Sequence, residues 1–408
     1  MTESRVAKDR LKMSKFKLDA LLDITLSINA NLATTELLRK YESILRDDLG
    51  IGKILLFKYG EKWEALLNSG FPDSLEKSID VERDLLCYTD ILTEVNQKPF
   101  KAVDIIIPVF NNNTPTAYVL MGDIDEEGEG MSPLIKHLNF IQTISGIIVV
   151  AIENQRLFVE SLRQMAIRRE LELAARMQMM LIPDNRKLPD DDKIRVRGFY
   201  NPHYEVGGDY YDFVRLSETV VGFCIADVSG KGMSAALLMS NFQASLRTLF
   251  TADIDLEELL RKLNTLVVVN SSGERFITLF IARYNLKTRV LEYVNAAHNP
   301  PVIIDIRSQA VSLLRQSCVG IGMLDEIPWV KKEIITLAKP TKIVCYTDGL
   351  SELKDDKGND LGAAPLIKHF PNRKPVSENI QALIDDLDIH TDNPRLFDDV
   401  SILAVEIH

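Results

Sequence analysis

The chain has 408 residues, 46% of them hydrophobic and 26% charged, and carries a net charge of -11. A chain this long exceeds what one hydrophobic core usually fills, so two domains are expected. The acidic balance offers no basic stripe to neutralise phosphates, which excludes a nucleic-acid surface.

From the N-terminus, residues 17–48 carry apolar side chains at helical spacing (Leu18, Leu21, Leu22, Ile24, Leu26, Ile28), and Thr34-Thr-Glu-Leu37 starts a second helix running through Arg46. After the turn at Gly50-Ile-Gly52 come strand-like runs at 53–59, 63–69, 102–110 and 117–122, read as a meander closed by a helix from about Ser132. Helices on such a sheet make an α+β sensor domain over residues 1–150. Its outline resembles a GAF domain. That implies a small-molecule pocket above the sheet or a module that dimerises or binds protein, and no short motif chooses between them.

Residues 144–182 hold scarcely a breaker after Gly146 until Pro183. One heptad frame turns Val159, Leu162, Ala166, Leu173 and Met180 inward, with Arg169 and Arg176 in the same stripe. The alternative is a single amphipathic helix lying against the next domain, which 171–181 fits. The two combine in the expectation of a dimerising, coiled-coil-like linker over 151–183 and hence a homodimer.

Over 184–408, strands are expected at 194–200, 213–216, 220–226, 276–284, 290–294, 302–306, 311–314, 342–346 and 400–407, with a helix at 233–250 after the Gly230-Lys-Gly232 turn. Two sheets packed face to face with helices outside would bury this many strands.

Asp209 and Asp212 in GGDYYDF (207–213), Asp227 in DVSGKG (227–232), Asp348 in YTDG (346–349) and Asp398-Asp399 in DDVSIL (398–403) each stand where an apolar strand begins or ends. Carboxylates presented this way suit hard divalent cations such as Mg²⁺ or Mn²⁺, and four distant segments can converge on one oxygen-rich site. An isolated Asp-Gly is ordinary turn chemistry, and Asp355 and Asp356 read as loop residues. Asp212 is open between ligand and orienting group. The Ser229–Gly232 turn lacks the spacing of a nucleotide-binding loop, so close approach of backbone to metal is its better account.

Other chemistries are excluded. No cysteine heads a C-x₅-R cradle, and Asp123-Ile-Asp125 has Glu127 where an aspartyl-phosphate motif needs Thr or Val, so it reads as an acidic loop. Six histidines form no ligand cluster. Cys87, Cys224, Cys318 and Cys345 lack C-x-x-C spacing and read as buried free thiols of a reducing cytoplasm. The charged N-terminus is unlike a signal peptide, and 138–152, interrupted by Asn139, Gln142, Thr143 and Ser145, falls short of the roughly 20 apolar residues a membrane helix needs. Neither membrane insertion nor a location outside the cytoplasm is expected.

The order GGDYYDF, DVSGKGMSAALLM, FITLF, NAAHNPP, YTDGLSE, DDVSIL resembles the SpoIIE-like branch of the protein phosphatase 2C superfamily, bacterial serine/threonine phosphatases of partner-switching signalling. The resemblance spans roughly residues 170–408. It implies an α/β/β/α sandwich and two Mn²⁺ or Mg²⁺ ions. Asp227 would bridge them, Asp209 and the Val228 carbonyl would join one, and Asp348 and Asp398 would hold the other; Asp399 stands where the superfamily often carries Asn. It further implies direct attack of water on phosphoserine or phosphothreonine of a protein, such as a STAS-type anti-sigma-factor antagonist. Ala297 replaces the family's usual Gly, which questions the local turn, and His298 beside it reads as a general acid or as structural. The alternative class is a metal-binding but catalytically idle scaffold acting through protein interactions.

Overall fold

The computed structural model describes residues 2–408 except 94, 96–99, 112, 125–136, 204–205, 316, 356, 391–392 and 394–395, with side chains from Leu11 onward. It divides into two compact units, Met1–Met165 and Ala166–His408, the division falling inside the expected linker.

In the first unit, α1 (Thr2–Asn29) and α2 (Thr34–Ser43) precede β1 (Ile51–Tyr59) and β2 (Trp63–Ser69). Two short helices follow, α3 (Asp73–Ser78) and α4 (Val81–Asp84), then β3 (Ile105–Asn111), β4 (Thr114–Ile124) and the long α5 (Leu138–Met179). The strands lie where the sequence places them, but they do not form a meander: the antiparallel order is β2-β1-β4-β3. The reason is in the side chains. Ile54 and Leu56 of β1 join a core with α1, α2 and α5, while Leu55 and Phe57 join a second core with Phe71, Leu85 and Phe100. A strand apolar on both faces belongs at the centre of its sheet, and β2, only half buried, takes an edge. The expected helix start near Ser132, and Asp125 and Glu127, lie outside the described residues.

Three polar contacts tie α5 to this unit. The Tyr41 hydroxyl meets Ser145 Oγ at 2.6 Å, Gln155 Nε2 donates to the Leu32 carbonyl at 2.7 Å, and buried Lys58 donates to Glu153. Beyond Gln155 the helix leaves Leu157, Phe158, Val159, Leu162, Met165 and Ile167 exposed, as are Arg169 and Arg176.

The second unit contains β5 (Ile194–Asn201), β6 (Tyr210–Arg215), β7 (Val220–Val228), α6 (Met233–Leu249), α7 (Leu256–Ser271), β8 (Ile277–Asn285) and β9 (Val290–Ala296). After them come β10 (Val302–Asp305), β11 (Val311–Leu313), β12 (Glu333–Thr336), β13 (Thr341–Tyr346), α8 (Asp348–Ser351), α9 (Ala364–His369), α10 (Val376–Leu387) and β14 (Val400–Ile407). They form two five-stranded sheets, β11-β10-β13-β14-β5 and β12-β9-β8-β7-β6.

Strand alternation builds the layers. In β13 and β14, Ile343, Cys345, Leu403, Val405 and Ile407 enter the core shared with the other sheet, α6 and α7. Their neighbours Val344, Tyr346, Ile402 and Ala404 face α9 and α10. The result is a sandwich of helix, sheet, sheet and helix. Helix α7 and strand β12 were not expected. The helix carries a legible signal in Leu256, Leu259, Leu260, Leu263 and Val267, capped by Asp255, which accepts from Glu257 N at 2.8 Å. Strand β12 has four residues, two half-buried and two exposed, and no such signal. Of the cysteines, three are buried and free as expected, whereas free Cys87 is exposed, being in a loop after α4 rather than in a strand.

Candidate metal centre

Strand ends bring the acidic residues together. Asp209 directly precedes β6, Asp227 is the penultimate residue of β7, Asp348 follows β13 by one residue, and Asp398-Asp399 lead into β14. Because β6 pairs with β7, and β13 with β14, two carboxylate-bearing ends come from each sheet.

Hydrogen bonds then cross between the sheets. Thr347 Oγ1 donates to Asp209 Oδ2 at 2.7 Å and accepts from Ser401 N at 2.9 Å. Asp399 accepts from His203 N and from Gly208 N, both at 2.8 Å. Gly207 is squeezed in this loop: a Cβ there would lie 2.1 Å from Asp399 Oδ2 and 2.2 Å from the Tyr200 hydroxyl. From the end of α5, Gln178 clamps the same glycine, accepting from its N–H at 3.0 Å and donating to its carbonyl at 2.6 Å. A Cβ on Gly208 would come within 2.9 Å of the Val228 carbonyl, so that oxygen faces the Asp209 loop.

The electrostatics follow from crowding. Burial, then the charges of Asp227 and Asp399, raises Asp209 well above the usual carboxylate range. Burial, then Asp348, Asp398 and Asp399, raises Asp227, which shares a hydrogen bond with Asp209. Burial and Asp398 push Asp348 up to about 6. Burial also raises Asp399, against the pull of its amide donors. Among the described residues no three acidic, imidazole or thiol groups already close around one point as a finished cage. The aspartates lie within Coulomb reach instead.

Two cations border the cluster. Lys231 Nζ lies 2.8 Å from Asp398 Oδ2 and donates to the Phe397 carbonyl at 2.6 Å. Arg275 donates to the Ser229 carbonyl and, at 2.7 Å, to Ser234 Oγ, pinning the turn after Asp227. Gly230 in that turn has φ +87°, and a Cβ on it would meet the Arg275 guanidinium at 1.6 Å, so only glycine fits.

Asp212 stands apart from the cluster. It is buried on β6 and accepts from Arg247 at 2.8 and 2.9 Å, from the Tyr210 hydroxyl at 2.5 Å and from Phe213 N at 2.8 Å, which makes it an orienting group. His298 is buried, with Nδ1 2.8 Å from Thr278 Oγ1, and Thr278 is the cross-strand partner of Asp227. Burial pushes the imidazole down to about 4, so the ring is neutral at pH 7 and the structural role suits it. Ala297 adopts φ +54°, the left-handed conformation a glycine would take without strain. Asp355 caps its own loop, accepting from Lys357 N and Asn359 N, while Asp356 lies outside the described residues. Sequence reasoning did not single out Thr347, Gln178 or Arg275. Thr347 sits beside Asp348 inside the motif, and Gln178 is the polar residue interrupting a methionine-rich helix end; Arg275 carries no signal.

Residues 217–408 match the family described as stage II sporulation protein E (SpoIIE), a span that begins after Asp209. The fold is also that of the SiaA-PP2C domain of Pseudomonas aeruginosa, at 19% identity and a TM-score of 0.50, covering 60% of this chain and 99% of that one. Over those residues the C-terminal unit is thus similar to the SpoIIE family, and its fold is that of the SiaA PP2C domain. Among curated relatives, the phosphoserine phosphatase RsbU of Bacillus subtilis (strain 168) is 30% identical over 195 residues, 48% of this chain and 57% of that protein. The phosphoserine phosphatase RsbP of the same organism is 23% identical over 244 residues, 59% of this chain and 58% of that protein. The chain thus spans somewhat more than half the length of each.

Proposed function

We propose that the protein is a metal-dependent protein serine/threonine phosphatase. The observation that carries this is the meeting of Asp209, Asp227, Asp348 and Asp398 at one end of the sandwich, with burial and mutual repulsion raising the first three. Carboxylate oxygens with a backbone carbonyl form a donor set for hard cations, Mn²⁺ or Mg²⁺, and the buried Tyr200 hydroxyl adds another oxygen beside Asp399 and Asp209. Asp227 would bridge two ions, Asp209 and the Val228 carbonyl would serve one, and Asp348 and Asp398 the other. Asp399 keeps lone-pair capacity for an ion while its amide bonds hold the Gly207-Gly208 loop.

Bound there, two such ions supply Lewis acidity toward phosphoryl oxygens and a water acidified to neutral pH. The chain does the positioning. Thr347 aims Asp209, Gln178 and Asp399 fix its loop, and Lys231 adds positive charge at the rim where a phosphate dianion would arrive. Water attacks phosphorus directly, without a phosphoenzyme.

The relatives named phosphoserine phosphatase support phosphoserine as the substrate group; phosphothreonine and a partner-switching protein of STAS type are what the family resemblance implies for this chain. The N-terminal unit is a GAF-like sensor for a small molecule or protein, over 1–150. The exposed apolar residues of α5 favour a homodimer through the linker 151–183, leaving 184–408 as the phosphatase. No helix among the described residues is long and apolar enough to cross a membrane. Hydrolysis of a phosphoserine peptide with Mn²⁺, and its loss with EDTA, is the test. Calorimetric metal binding with no turnover in either ion would make the protein a scaffold instead.

A further inference from the structure

We infer that a cleft beside the acidic centre receives the stretch of substrate polypeptide flanking the phosphorylated residue, an aliphatic side chain on its floor and a Lys or Arg at its rim. This rests on the phosphatase reading above. The cleft measures about 460 Å³, room for more than one side chain.

Its walls continue directly from two of the aspartates. Helix α8, which begins at Asp348, leads to Leu353, and Leu361 returns to it through an N–H donated to the Leu353 carbonyl at 2.8 Å. On another side stands Phe397, the residue before Asp398, its carbonyl held by Lys231. The end of α10 supplies Leu387 and Asp388. A chain lying here runs past both aspartate-bearing segments, so its phosphorylated residue reaches the centre.

The lining sets what fits. Leu353 is buried and Leu361 and Leu387 half-buried in the apolar cluster under the sheet, while Phe397 is 37% exposed. These offer an apolar floor. The polar groups are unequal: Lys354 turns to Asp360, Asp355 caps its own loop, and Asp386 is paired with Lys368 at 2.6 Å and His369 at 3.0 Å. Asp388 is 77% exposed and meets the His390 imidazole at 3.5 Å. An acidic mouth over an apolar floor complements a basic, aliphatic segment and repels an acidic one.

The test is kcat/KM in Mn²⁺ for p-nitrophenyl phosphate and for two phosphoserine peptides, one flanked by Leu and Lys, the other by Ala and Glu. The native protein should favour the first peptide. Asp388→Asn, a residue that tolerates the φ of +52° there, should lower the preference for the Leu/Lys peptide over the Ala/Glu peptide roughly two- to fivefold. Leu387→Ala should lower that same preference by about tenfold. Both variants should hydrolyse p-nitrophenyl phosphate at the native rate, which also shows that they fold. Equal turnover of the two peptides by the native protein, or variants that slow all substrates alike, would overturn the cleft as a subsite. No hydrolysis of p-nitrophenyl phosphate by the native protein would overturn the phosphatase reading, and this inference with it.

Discussion

In the N-terminal unit the one buried lysine among the described residues, Lys58, is matched by Glu153, and Arg156 joins the same carboxylate at 2.7 Å. At the acidic end of the C-terminal unit, Asp227 lies among the charges of Asp209, Asp348 and Asp398, and the bordering cation Lys231 pairs with Asp398. Buried charge is costly unless paired, so the first arrangement is what stability alone requires and the second is what a site retains for a ligand. The contrast recurs within one sequence motif. Asp212, three residues beyond Asp209, is compensated by Arg247 and two further donors, whereas Asp209 has a threonine hydroxyl and like-charged neighbours.

The sharpest test of that contrast is Asp227→Asn. It should cut phosphatase activity at least about a thousandfold, some 4 kcal/mol of transition-state stabilisation, while the melting temperature without divalent cations stays level or rises because one repelling charge is gone. Native-like turnover in saturating Mn²⁺ would remove Asp227 from the site.

Arg247→Ala should act in the opposite sense, leaving activity per folded molecule intact but costing about 3 kcal/mol in urea denaturation, since Asp212 stays buried without its guanidinium. Adding Asp212→Asn should return part of that loss. A cost as small as that of an ordinary surface substitution would mean Asp212 is not dependent on Arg247.

The third expectation concerns pH. Asp348 rises to about 6 in the fold from an unfolded value near 3.8, so the folded state holds its proton more tightly. Its contribution is fully present below about pH 4 and is lost as pH rises through about 6, on the order of 2 kcal/mol. Without divalent cations, stability should fall over that window. Asp348→Asn should flatten the curve, and a slope unchanged in this variant would contradict the assignment.

The smallest effect is expected in the sensor. Lys58→Met alone strands Glu153 and should cost about 1 kcal/mol, since Glu153 is partly solvated and keeps Arg156, whereas Lys58→Met with Glu153→Leu should come within about 1 kcal/mol of native. A double variant far less stable than the single one would show that the pair does more than neutralise itself.

Much of the fold was legible because its elements are patterned locally. Strands β2 and β14 occupy the expected residues, and α6 follows its glycine turn as read. The meander failed because strand order depends on which strands are apolar on both faces, and a stretch such as 54–57 shows that property only when each side has a partner core. The acidic residues of the centre could be singled out because Asp next to glycine at a strand end is a short motif. Their supports could not, since Gln178 reaches Gly207 from another element and Arg275 fills the space that Gly230 leaves.

By itself, then, the order of apolar runs, turns and aspartates determined the two-unit layout, the sandwich and the set of carboxylates, all of which are written in neighbouring residues. Only the tertiary structure decided which aspartate is neutralised and which is not. Asp209 and Asp212 share one motif, but strand alternation sends Asp212 toward Arg247 of α6, while Asp209, just outside β6, turns toward Thr347 and Asp227. Charge compensation depends on distance in space, and separations of 35 and 138 residues bring those partners within hydrogen-bond reach.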